Sequence, residues 1–163
     1  FLGTVVEAWE KAADQFETLG LEVAKVRVGV VLAKNGGALE KLIQPIKYYV
    51  GSPLGDGQQW QSWIHLEDLA GIFKEVILNK NNGVYNAVAP APVTNETLTK
   101  EVALILNKPL IFPKVPAFML KLILGEMAAV VLESQKVSSQ KIEHQSYSFK
   151  YTQLNQALRD LLA

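Results

Sequence analysis

The chain has 163 residues, 49% of them hydrophobic, enough to bury one sizeable core, and its 16 Lys and Arg balance 16 Asp and Glu. With no cationic excess, the composition argues against nucleic acid or a charged membrane surface as a partner. Cysteine is absent, which excludes disulfides, thiolate catalysis and cysteine-based metal sites and fits a reducing, cytoplasmic compartment.

Apolar residues at Leu2, Val5, Val6, Trp9, Ala13, Phe16 and Leu19 recur at close to 3.6 residues and predict one amphipathic helix, closed by Gly20, a residue suited to a left-handed C-cap. No initiator Met or N-cap precedes it, and Glu7, Glu10 and Lys11 interrupt any signal-peptide core, so the chain reads as a fragment that starts inside an element. Leu21 to Leu32 alternates and then turns continuously apolar, as a central parallel strand does. Asn35-Gly36-Gly37 punctuates it before a short helix carrying Leu39, Leu42, Ile43 and Ile46.

Gln59 to Ile64 reads as extended, and Leu66 to Ile77 as a helix with Glu67 and Asp68 at the favourable end of its dipole. A turn at Asn81-Asn82-Gly83, a strand from Val84 to Ala89, and Thr94 as N-cap of a helix to Leu106 continue the βα alternation. Such alternation predicts an α/β domain with a largely parallel sheet. From Lys108 the character changes: three prolines break regular structure, and Pro116 is placed to start a helix. Ser138 or Ser139 can cap a short helix, Tyr147, Phe149 and Tyr151 alternate like a short strand, and Thr152 can cap the last helix. The expected division is therefore residues 1–107 and residues 108–163, the second mainly helical. The longest apolar stretch, Val115 to Leu132, contains Lys121, Gly125 and Glu126, and predicts no membrane span.

The chemistry-bearing motifs are mostly missing. No glycine fingerprint for a dinucleotide pyrophosphate occurs, and Gly51-Ser52-Pro53-Leu54-Gly55-Asp56-Gly57 reads as a plain loop more readily than as a phosphate cradle. Walker and Gly-x-Ser-x-Gly motifs are absent, and His65 and His144 lie too far apart to hold zinc on one helix face. His65 beside Glu67 and Asp68 is either an acid/base group or a hydrogen-bonding residue at a strand–helix junction. Trp60, Ser62 and Trp63 can line a small-molecule pocket beyond a strand end, or serve packing. Arg27, on an otherwise apolar strand, requires either an internal ion pair or an anionic ligand.

Val26-Arg27-Val28-Gly29-Val30-Val31-Leu32, Trp63-Ile64-His65-Leu66-Glu67-Asp68-Leu69-Ala70 and Gly83-Val84-Tyr85-Asn86-Ala87, in that order, resemble the second half of extended short-chain dehydrogenase/reductases of the epimerase and dehydratase type. Gly36-Gly37-Ala38-Leu39, Gln59 to His65, Ala89 to Asn95 and Val115-Pro116-Ala117-Phe118 are similar to an atypical epimerase-like branch that ends in a domain of unknown function. Leu124-Gly125-Glu126-Met127-Ala128 and Tyr151 to Leu162 resemble that terminal domain.

The resemblance implies the C-terminal half of a Rossmann-type doubly wound parallel sheet plus a small helical substrate lobe. It also implies NAD or NADP as cofactor of a longer parent and a small-molecule substrate, a sugar derivative being the family's commonest. No arginine lies in Gln59 to Ser62 to grip a diphosphate there. By the same resemblance Gly29 and Val30 approach the nicotinamide carboxamide, although Gly29 can equally serve strand packing. Arg27, Trp60, Ser62, Trp63 and His65 are expected to face the substrate. None of the five tyrosines has a lysine four residues later, so the proton-transfer pair of the superfamily is missing, no catalytic or metal-binding residue is assigned, and the chain alone is expected to be inactive. The alternative is a non-catalytic dinucleotide or metabolite sensor, or an interaction protein, on the same fold.

Overall fold

The computed structural model describes residues 2–162, and the side chains of Leu2, Ile123, Leu124, Met127 and Val130 also lie outside the described residues. Helix α1 (Leu2–Asp14) continues as a 3-10 turn (Gln15–Leu19) and stops at Gly20, whose φ of 76° is the left-handed cap expected there. Its apolar side is left uncovered: Trp9 is 70% and Leu19 73% exposed.

The central strand begins later than its apolar run predicts and is interrupted at Gly29, giving β1 (Ala24–Val28) and β2 (Val30–Leu32). The interruption is an exchange of neighbours. β1 runs parallel to β5 (Gly83–Ala87), with Arg27 opposite Asn86, whereas β2 runs parallel to β4 (Trp63–His65), with Val30 opposite Trp63. Gly29 N–H still donates to Ala87 O at 3.1 Å, and Val30 N–H to Ser62 O at 2.8 Å. The exchange needs a glycine, because a Cβ on residue 29 would lie 2.2 Å from Ser62 O and 2.8 Å from Val88 Cγ1. A third pairing is antiparallel, between β3 (Trp60–Gln61) and β6 (Val93–Thr94).

Helix α2 (Gly37–Lys47) buries Leu39, Ile43 and Ile46 at the expected spacing. His65 caps α3 (Leu66–Leu78), and Thr94 Oγ1 caps α4 (Asn95–Ile105) by accepting from Thr97 N–H at 3.2 Å. Pro116 precedes α5 (Ala117–Leu124), which passes through a 3-10 turn (Gly125–Met127) into α6 (Ala128–Leu132). Ser138 Oγ accepts from Gln140 N–H at the start of α7 (Gln140–His144), and α8 (Leu154–Leu162) ends the fold.

The expected strand at Tyr147 to Tyr151 does not form. Asp68, 2% exposed, takes the donors a neighbouring strand would have used: its carboxylate accepts from Lys150 N–H at 2.8 Å and Tyr151 N–H at 2.9 Å. Tyr147 donates its hydroxyl to the Asp68 carbonyl at 3.0 Å, and burial followed by the Asp68 charge raises its phenol above the usual range.

Two apolar clusters flank the strands. Trp63, Leu32 and Ala89 join helices α2, α4 and α8 on one side, and Ile64, Tyr85 and Ala87 join Ile72, Val76 and Ile142 on the other. Successive side chains of β4 thus enter different cores, which is why this sheet reads as continuously apolar. No described helix is long and apolar enough to cross a membrane.

A candidate ligand cleft at the strand ends

Where β1 parts from β5 and the chain turns to β4, a cleft of about 570 Å³ opens. It lies beyond the carboxyl ends of two parallel strands, the usual place for a ligand in an open α/β sheet. Five of the expected residues line it: Arg27, Gly29, Val30, Trp60 and Ser62. Val28, Val88 and Val137 add an apolar wall, and Gln61, Asn86, Glu133 and Gln135 add polar groups.

Trp63 and His65 are outside this lining, a correction to the grouping expected from their position in the sequence. The period of two along a strand turns them away from Ser62 and into the core. Trp63 is 0% exposed, its indole N–H donating to Ala91 O at 2.8 Å. His65 is 2% exposed and stacks on Tyr151, with ring centroids 3.9 Å apart. Its Nδ1 accepts from Glu67 N–H at 3.1 Å, and its Nε2 lies 3.4 Å from Asp160 Oδ2. Of the two readings offered by sequence, His65 follows the junction-residue one.

Arg27 finds its counter-charge in α1. Its Nε and Nη2 donate to the two carboxylate oxygens of Glu10 at 2.6 and 2.7 Å. The Arg27 hydrogen bond holds the Glu10 carboxyl below the ordinary carboxylate range, and the same bond raises the guanidinium. Ser62 lends its hydroxyl to the fold, donating to Gln135 O at 2.8 Å and accepting from Val137 N–H at 2.9 Å. Trp60 N–H is held by Ser134 Oγ at 3.0 Å, and Lys136 Nζ stands 4.2 Å from the Trp60 ring centroid. The 133–137 segment is therefore strapped across the cleft by Trp60 and Ser62.

Sequence reasoning passed over Glu10, Asn86, Glu133 and Gln135. Asn86 had a usable signal, being in the strand that pairs with Arg27, but Glu133 to Val137 has no periodicity to expose it. The glycine-rich loop behaves as a plain loop. Leu54 N–H donates to Asn95 Oδ1, Gly55 N–H to Val115 O and Gly57 N–H to Leu54 O, so these donors are spent on the protein.

This architecture is the C-terminal portion of the Rossmann-type fold found in epimerases and other short-chain dehydrogenase/reductases. It superposes on the human epimerase family protein SDR39U1 (isoform 2), solved with NADPH, with a TM-score of 0.80 and 31% identity over 86% of this chain and 48% of that one. For a nucleoside-diphosphate sugar epimerase from Corynebacterium glutamicum the TM-score is 0.78 at 32% identity, covering 99% of this chain and 31% of that one. An epimerase family protein of Staphylococcus aureus is 42% identical over 164 aligned positions, covering 100% of this chain and 54% of its own length. A chloroplastic SDR39U1 homolog of Arabidopsis thaliana is 40% identical, covering 99% and 46%. Residues 115–161 match the family described as Domain of unknown function (DUF1731). The chain is thus related along its length to the epimerase family proteins, and it spans about half the length of the curated relatives it matches.

Proposed function

We propose that this chain is the substrate-shaping half of an NAD(P)-dependent epimerase, dehydratase or reductase-like protein. The observation that carries the reading is the cleft itself, opening beyond the carboxyl ends of β1 and β5 and lined by Arg27, Gly29, Val30, Trp60 and Ser62. Two features agree with a partner half. Among the described residues β1 hydrogen-bonds to β5 alone, and Val28 at its end is 46% exposed. An unpaired strand edge leaves backbone donors and acceptors to be matched, so the open edge of β1 and the uncovered α1 are where the rest of the relatives' length would pack.

The residues present fit the nicotinamide end of a dinucleotide rather than its phosphates. Val28, Val30 and Val88 offer an apolar wall to a flat ring, and residue 29 brings backbone without a side chain to the same wall. When bound, the nicotinamide would exchange a hydride with the substrate. The chain's own part is to wall the cleft, exclude water through the 133–137 strap and orient the substrate with Gln61, Asn86 and Gln135. Phosphate binding and proton transfer fall to the part of the relatives outside this chain, and on this reading the chain alone is inactive. The substrate is a small molecule.

The test is linkage. NADPH or NADH should raise the Tm of the full-length protein, by about 2.7 kcal/mol of stabilisation at a hundredfold excess over Kd. No rise with either dinucleotide at millimolar concentration would sink the reading.

A further inference from the structure

Among the described residues lining the cleft, Arg27 is the one cation and Glu133 the one anion. A guanidinium at the end of a parallel strand is the natural grip for a diphosphate, because its planar fork matches two phosphate oxygens. Here its side-on fork, Nε and Nη2, is taken. Glu10 engages Arg27 at 2.6 and 2.7 Å, and the carboxylate is the more enclosed partner, its side chain 20% exposed against 55% for Arg27. The remaining polar side chains of the cleft are the amides of Gln61, Asn86 and Gln135, and the Ser62 hydroxyl is already bonded to Gln135 O and Val137 N–H. Lys136 stands over Trp60 but outside the lining.

We propose that Glu10 is a specificity residue: by occupying Arg27 it bars a phosphorylated substrate, nucleoside diphosphates included, from the place beside the nicotinamide and reserves that place for an uncharged substrate recognised through amides. This rests on the cleft being the ligand site and narrows the substrate class that site takes. A neutral ligand rich in hydroxyl or carbonyl groups suits three amides, each of which both donates and accepts. A diphosphate approaching Arg27 would meet a guanidinium already neutralised by Glu10, with the Glu10 carboxylate beside it, a like-charge contact that disfavours the wrong ligand.

Inorganic pyrophosphate, titrated into the full chain while the Trp60 indole N–H and the Arg27 guanidinium are followed by NMR, tests this. The wild type should show no cleft binding in the range where Glu10→Ala binds, and the variant should gain at least about tenfold in affinity, the scale of a charge-assisted bidentate contact. Glu10→Gln should gain less in the same direction, and Glu10→Ala combined with Arg27→Ala should lose the gain.

Wild-type binding as tight as that of Glu10→Ala overturns the proposal, whether it runs through Arg27 or is abolished by Lys136→Ala. So does a folded Glu10→Ala variant with no gain. NADPH added to that same variant of the full-length protein, where the proposed phosphate-binding half is present, separates the two readings. A dinucleotide-induced shift at the Gly29 and Val30 amides without any pyrophosphate gain removes only the role of Glu10, whereas no response to either compound removes the cleft reading as well.

Discussion

Gly29 shows how one residue can carry a change of strand partner. With Ser62 O only 2.2 Å from where a Cβ would stand, Gly29→Ala must push β2 away from β4 or break the Val30-to-Ser62 hydrogen bond. Overpacking of this kind costs about 1–3 kcal/mol, and denaturant unfolding should show it as a lower midpoint at unchanged slope. Asp68 is the second such residue. Sequence presents it as a helix-dipole charge, but its burial and its bonds to Lys150 N–H and Tyr151 N–H make it the clamp for the segment before α8. Because Lys150 N–H and Tyr151 N–H go to different carboxylate oxygens, Asp68→Asn sets an amide NH2 against one of the two donors and keeps an acceptor for the other, and should cost about 1–3 kcal/mol, less than Asp68→Ala. An Asn variant as stable as the wild type would show that the clamp is dispensable.

At the scale of elements, the N-terminus of α4 is tied to the loop before β3 through Glu96. Its carboxylate accepts from Lys100 and Lys114, at 2.6 and 2.8 Å, while Lys114 also donates to Asp56 O. Those hydrogen bonds, Lys100 first and then Lys114, lower the Glu96 carboxyl from 4.5 to about 2. A carboxyl with a depressed folded-state pKa contributes stability that is complete above its unfolded value and lost as pH falls through the folded one. The loss belongs to the window from about 4.5 down to about 2. Glu96→Gln should flatten the stability profile in that window and leave it parallel to the wild type near neutrality, as urea midpoints measured across pH would reveal.

Helices were the legible elements, because period and caps are local: Gly20 and Thr94 end and begin helices where their chemistry says they should. The alternation of Tyr147, Phe149 and Tyr151 misled because it records two neighbouring cores rather than a ladder. Tyr147 and Phe149 pack on one cluster and Tyr151 joins the other.

Over the whole molecule, the terminal helix is part of the same packing as the strands. Leu154, Ala157, Leu158 and Leu161 of α8 share one cluster with Leu32, Trp63, Leu98 and Val102, and Ile142 of α7 belongs to the other. A core that crosses the boundary between residues 107 and 108 predicts one cooperative transition. Leu158→Ala should cost about 2–5 kcal/mol and shift Trp63 fluorescence and far-UV circular dichroism together. Two separated transitions would mean that residues 108–163 fold as their own unit.

What the sequence determined by itself was the class of fold, and it picked out several residues that line the cleft. The βα alternation and the singling out of Arg27, Trp60 and Ser62 depend on local pattern and residue type, whereas Gly29 and Val30 are singled out by the family resemblance. Tertiary structure alone decided which way neighbouring side chains point and which partner each charge takes. Trp63 and His65 turned into the core because adjacent residues of a strand face opposite sides, and Glu10 reached Arg27 only because α1 packs beside β1. Contacts between elements far apart in the chain have no period to betray them, so the counter-charge of Arg27 became visible only once the chain was folded.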